Sequence, residues 1–257
     1  MKTHITKACI CIKGPYNLVY RVCDLDYYVN SDESFKYVFK PNYSVIELTD
    51  SSFFQGIPGL NIDLKEEEYV RENKVPTFIS ERVPSSNRED FYELLSKLRM
   101  DYMDPIEYLV RTKEQYSGDK LFVLPYKEKE VVVLENIHSH ETNTAIIRKA
   151  LEVICFGDDL VLSGQTIDDS NRKAFHDVFI GLYSRSFELN KELQREGIEK
   201  AKGKGKYKGR KPIEVDTMKF WDYLSRVDKK EISSSQAAKE LGLSIDKYYR
   251  LKKQLQK

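Results

Sequence analysis

Between Arg195 and Pro212 the chain reads R-E-G-I-E-K-A-K-G-K-G-K-Y-K-G-R-K-P. Lys202, Lys204, Lys206, Lys208, Arg210 and Lys211 follow in close order, spaced by Gly203, Gly205, Tyr207 and Gly209. Side chains of this type at this density bind phosphates, each one displacing a condensed counterion. Glycine frees the backbone, and no bulky apolar residue is present to build a core. The segment is therefore expected to form a cationic strap that follows a phosphate backbone or enters a narrow groove. Taken alone, such a run is equally an ordinary solvated linker, and its neighbours decide the matter.

The other candidate chemistry is weaker. His138-Ser139-His140 has two imidazoles but no third ligand at a recognisable spacing, so it reads as a pair of polar loop residues and no metal is expected. Ser139 beside His138 is no nucleophile and base, because adjacent side chains rarely face each other. Cys9, Cys11, Cys23 and Cys155 have no metal spacing, since Cys9 and Cys11 fall on one face of a strand, and they read as reduced, partly buried thiols. No cofactor is implied. Neither a signal peptide nor an apolar run of about 18 residues is present, which predicts a cytoplasmic protein without a membrane span.

The 257 residues suggest two domains, or one with an appended module. The overall charge of +1 conceals an asymmetry. From Lys191 onward 19 Lys and Arg face 10 Asp and Glu, roughly +9, which leaves the rest at roughly −8. A basic tail on an acidic body points to an anionic partner for the tail.

The elements that would position the basic residues follow from periodicity. Ala8–Ile12, Leu18–Cys23, Asp26–Asn30, Ser34–Phe39 and Leu121–Leu124 read as short strands, with turns at Gly14-Pro15, Ser31-Asp32-Glu33 and Ser117-Gly118-Asp119. Asn87 is expected to cap a helix carrying Phe91, Leu94, Leu95 and Leu98, and Asp104-Pro105 to open another. Glu130–Leu134 is a β-branched run expected of a buried strand. A helix over Thr144–Phe156, stopped by Gly157, and a strand at Leu160–Leu162 complete a parallel β-α-β crossover. Asp169 or Ser170 would cap a helix reaching about Lys200, with Phe175, Val178, Phe179, Leu182 and Phe187 as its apolar stripe. That stripe is expected to be a homodimer seam, with packing on the N-terminal domain as the competing explanation.

Met218, Phe220, Trp221, Leu224 and Val227 supply the apolar side of a further helix. In S-S-S-Q-A-A-K-E-L-G-L-S-I-D-K-Y-Y-R-L-K, Ala238 is small where helices approach, Gly242 permits a left-handed turn, and Leu241, Leu243, Tyr248 and Leu251 seal a small core. This is helix-turn-helix spacing. The last helix would enter the major groove, with Ser244, Asp246, Lys247 and Tyr249 outward and Arg250 and Lys253 nearer the phosphates.

The fold expected is α+β: a small N-terminal sheet with packed helices, a β-α-β portion leading to a long helix, and a three-helix helix-turn-helix module. Its divisions are 1–127, 128–200, the strap 201–212, and 213–257.

Two resemblances bear on function. The segments S-F-K-Y-V-F-K-P-N-Y, F-F-Q-G-I-P-G-L, P-T-F-I-S-E-R-V-P, D-P-I-E-Y-L and Y-S-G-D-K-L-F-V-L-P, over about residues 20–125, resemble the N-terminal subdomain of HipA-type toxin kinases. That subdomain is a non-catalytic module, and nothing later in the chain supplies the kinase, so the resemblance implies a protein partner for this part. V-V-V-L-E-N-I-H-S-H, D-D-L-V-L-S-G-Q-T-I-D and the basic strap, over about residues 130–257, resemble the serine recombinases of the resolvase and invertase family. The resemblance implies a dimerising long helix, a strap in the minor groove and a helix-turn-helix in the next major groove.

The chain departs from that family at its chemistry. Active members carry Asp-Arg-Leu-x-Arg after the strand, where Glu135, Asn136 and Ser139 stand here at the Asp and the two Arg. Neither Asn nor Ser can neutralise a scissile phosphate. Tyr20-Arg21-Val22-Cys23 imitates the family's Tyr-x-Arg-Val-Ser, with Cys23 at the serine, but lies too far from the next motif and reads as coincidence. The expectation is a sequence-specific protein of double-stranded DNA without catalytic residues, a regulator or accessory factor of a mobile element. An active, divergent recombinase using a displaced serine or Cys23, and a toxin–antitoxin-like interaction regulator, are the alternatives.

Overall fold

Residues 4–134, 143–204 and 216–255 are described by the computed structural model, which divides the chain into two compact units, Met1–Glu192 and Leu193–Lys257. The first is α+β. Its main sheet comprises β1 (His4–Lys13), β2 (Val19–Val29), β3 (Phe35–Pro41), β4 (Tyr69–Glu72) and β5 (Phe122–Pro125), antiparallel throughout in the order β4-β3-β2-β1-β5. The sequence separates Asp26–Asn30 from Leu18–Cys23, but they form one strand. β2 pairs with all of β1, absorbing one residue in a bulge where Ile10 pairs with Cys23 and Cys11 with Arg21.

The central strands are covered on both faces. Ala8, Ile10 and Ile12 enter the main core, while Cys9 and Cys11 pack with Phe122 on the opposite face. Short helices α1 (Tyr43–Ile46), α2 (Thr77–Ser80), α3 (Phe91–Lys97) and α4 (Pro105–Thr112) lie among the connections. Asp104 caps α4 by accepting from the Ile106 and Glu107 amides, as its position before Pro105 requires. Asn87 caps nothing; α3 starts later, with Asp90 at its N-cap.

The second sheet, in the order β6-β7-β8, contains β6 (Val131–Val133), β7 (Asp159–Leu162) and β8 (Gln165–Ile167). β6 and β7 are parallel and joined through α5 (Asn143–Phe156), the crossover that the pattern of residues predicts. β8 is an addition, a hairpin turned at Ser163 and Gly164, both with positive φ. The expectation of a buried strand at Glu130–Leu134 is corrected. β6 is an edge strand, with Val131 63% and Val133 55% exposed, and only Val132 is turned toward the interior.

α6 (Arg172–Gly203) runs 32 residues, about 48 Å at the helical rise. Neither Asp169 nor Ser170 caps it. Asp168 takes the turn before it, accepting from the Ser170 amide and hydroxyl. Asp169 binds Lys129 and Arg172 instead. Arg172 is fully buried and donates to the carbonyls of Ile154, Gly157 and Asp158, a cation at the C-terminus of α5. Gly157 holds that end with φ +87°, and a Cβ there would approach Asn42 Nδ2 to 2.5 Å.

On the first part of α6 the inward face is Arg172, His176 and Tyr183, with Phe175, Phe179 and Ile180 partly covered. The stripe read from the sequence thus splits. Phe175 and Phe179 pack on the first unit and the half-exposed Phe187 meets Tyr16 with ring centroids 5.6 Å apart, while Val178 and Leu182 are exposed, in line with Leu189, which the predicted stripe did not include. One core joins residues on both sides of position 127, since Ala150, Leu151, Ile154 and Leu160 cluster with Ala8, Tyr20 and Phe39.

Candidate nucleic-acid interface

The second unit holds three further helices: α7 (Thr217–Asp228), α8 (Ser234–Glu240) and α9 (Ile245–Leu255). Each start has a local cause. Asp216 accepts from the amides of Met218 and Lys219 at the head of α7. Ser233 and Gln236 form a reciprocal capping box on α8. α8 ends at Gly242, whose φ of +65° suits glycine, and Leu243 N–H closes the turn on Ala238 O at 2.8 Å.

The turn lets α8 and α9 share one core. Phe220, Leu224, Ala237, Ala238, Leu243 and Tyr248 are buried together, and Val227, Leu241 and Leu251 pack around them. Phe220 and Tyr248 meet with ring centroids 5.3 Å apart. Burial raises the pKa of the Tyr248 phenol, with Asp228 and Tyr249 adding to the effect, and its hydroxyl has no hydrogen-bond partner among the described residues. Lys252 reaches Asp228 at 3.4 Å and ties the end of α9 to the end of α7.

Anchoring α9 through Tyr248 decides which side chains face out. Asp246, Tyr249, Arg250 and Lys253 recur at three- and four-residue intervals along its exposed side, with Ser244 exposed just before it. Lys247 is half-buried at the flank of this stripe. Arg250 and Lys253 have no salt bridge among the described residues, so the stripe is cationic at its C-terminal half. Of the strap, Lys202 and Lys204 are exposed at the end of α6, whereas Lys206, Lys208, Arg210 and Lys211 lie outside the described residues.

The apolar side expected of α7 is corrected in part. Phe220 and Leu224 point inward, but Met218 is 84% and Trp221 44% exposed. Helical spacing brings Phe220, Leu224, Val227 and Tyr223 to this core, whereas Met218 falls on the opposite side and Trp221 on the flank. Nothing in the run of apolar residues distinguishes them; only the place of α8 and α9 does.

The candidate chemical groups outside this unit are buried or lie outside the described residues. Glu135, Asn136, His138, Ser139 and His140 lie outside the described residues. Among the described residues no group of three His, Cys, Asp or Glu could hold a metal ion. All four cysteines are free and buried. Burial pushes the Cys9 thiol up to about 11 and Cys155 to about 12, and raises Cys11 and Cys23 as well. Among the described residues no helix is long and apolar enough to cross a membrane. Comparison with known proteins finds no family model, no curated protein and no solved structure that matches this chain.

Proposed function

We propose that the chain binds double-stranded DNA through its second unit, as a helix-turn-helix protein that does not cut the strands. The observation that carries this reading is the outward stripe of α9, in which Asp246, Tyr249, Arg250 and Lys253 stand on a helix fixed from behind by Tyr248. In this reading α9 occupies the major groove, Ser244, Asp246, Lys247 and Tyr249 meet base edges, and Arg250 and Lys253 meet phosphates. The strap from Lys202 to Lys211 follows the adjoining minor groove. Val178, Leu182 and Leu189 on α6 pair two copies, and the protein regulates or assists a mobile element. The resemblance to serine recombinases supports the order of helix, strap and reading head. The burial and raised pKa of Cys23 speak against this residue as the nucleophile of the enzyme alternative, because only an accessible thiolate could attack a phosphate.

The test is selection of duplexes from a random pool by the full chain, followed by titration of the selected site. A two-fold symmetric site is expected, bound with an affinity that falls steeply with salt. Arg250→Ala and Lys253→Ala should each lower the magnitude of the logarithmic salt slope by about 0.9 and weaken all sequences alike, whereas Tyr249→Ala should relax the sequence preference. No enrichment of any duplex, or a covalent protein–DNA adduct on supercoiled substrate, would refute the proposal.

A further inference from the structure

Among the described residues no strand pairs with the outer edge of β6 in the second sheet. Asp159 N–H donates to Glu130 O and Leu134 N–H donates to Val161 O, each at 2.9 Å. Backbone groups alternate along a strand, so Glu130, Val132 and Leu134 are directed toward β7. Val131 and Val133 therefore turn both their N–H and their C=O groups outward, and neither has a hydrogen-bond partner on that side among the described residues. Their side chains share the outer face with Val161, and all three are apolar groups with solvent contact.

Edges of this kind are ordinarily defended by charge. Here the two flanking lysines are already paired inside the chain. Lys127 pairs with Glu130 at 2.8 Å, and Lys129 with both Asp159 and Asp169 at 2.9 Å. Among the described residues this leaves no unpaired lysine beside Val131 and Val133 to repel a second strand.

We infer that the outward-facing edge of β6, at Val131 and Val133, is a self-association site that pairs antiparallel with the same strand of a second copy. The occupant follows from symmetry. The open backbone groups lie one residue to either side of Val132, so a two-fold axis through Val132 sets Val131 opposite Val133 of the second copy. Each such pair exchanges both N–H···O=C bonds. The triplet Val131-Val132-Val133 reads the same in both directions, so β-branched side chains meet across the axis and no charge meets a like charge. A foreign strand would satisfy the backbone equally but would receive no such register from this chain. The edge is 3 residues long, against about 20–30 residues a side in a stable interface, so the association is weak and concentration-dependent.

The site is separate from the α6 seam, and its test removes that seam. Sedimentation velocity on the full chain carrying Leu182→Glu and Leu189→Glu, from about 1 μM to about 1 mM, should show a monomer–dimer equilibrium. Val133→Pro deletes only an outward N–H and leaves the bonds to β7 in place, and it should weaken that dimer by about tenfold or more. Val133→Thr keeps the backbone donor and should retain the dimer. Val131→Lys with Val133→Lys places like charges across the axis and should abolish it, which serves if the proline variant fails to fold. A helix-seam variant that stays monomeric to the highest concentration, or a dimer unchanged by both edge substitutions, would overturn the inference and leave the edge to a strand of another protein. Duplex binding by the same variants reports separately on the DNA reading.

Discussion

At the scale of single residues, burial explains more of this molecule than charge pairing does. His176 lies between α6 and β2, its Nε2 3.2 Å from the Tyr20 hydroxyl and its Nδ1 3.3 Å from Asp177. Burial lowers its pKa, and the exposed Asp177 carboxylate only partly opposes this. A histidine whose folded pKa is depressed is held neutral by the fold, while the unfolded chain takes up its proton near pH 6.5. The unfolded state thus binds more protons in that range, and stability is lost as pH falls below about 6.5 toward the folded value. The thermal midpoint of the first unit should drop across this interval, and His176→Gln should flatten that part of the profile. A midpoint equally steep in the variant would assign the effect to other groups. The same burial removes the cysteines from consideration as nucleophiles, a conclusion the spacing of Cys9, Cys11 and Cys23 did not force.

At the scale of elements, the C-terminal helices are set by caps and one turn rather than by a large core. Ser233→Ala removes the capping-box acceptor and should cost about 1 kcal/mol. Gly242→Ala meets open space but must adopt a positive φ, so its cost is conformational, about 1–2 kcal/mol. Denaturant titrations should show both losses in the second unit's transition and neither in the first's. A Gly242→Ala variant of unchanged stability would mean that the turn relaxes out of the left-handed region. These cues were visible in sequence because each acts within a few residues. The cap of α6 was misplaced for the converse reason: Asp169 competes for the role locally, but Lys129, distant in the chain, claims its carboxylate.

At the scale of the whole molecule, two units with separate cores carry opposite charge. Among the described residues the second unit buries only six in its hydrophobic cluster, and it contains the chain's one tryptophan, Trp221. A core that small is marginal, so it should unfold before the first unit. Trp221 fluorescence should report the earlier transition and far-ultraviolet circular dichroism both. Selected duplex DNA should raise the earlier midpoint alone, because a ligand stabilises the unit it binds. Coincident transitions by both probes would show that the units unfold together.

The amino-acid sequence by itself determined the strand and helix periods, the cap at Asp104, the stops at Gly157 and Gly242, and the concentration of positive charge after Lys191. Each is a property of neighbouring residues, and neighbours are legible in a linear chain. Tertiary structure alone decided which apolar residues are covered. Val131-Val132-Val133 has the composition of a buried strand yet forms an edge, because its exposure depends on what pairs beyond it. Met218 and Trp221 share a helix with Phe220 and Leu224, yet are 84% and 44% exposed. Burial is a relation between distant segments, so no local pattern specifies it.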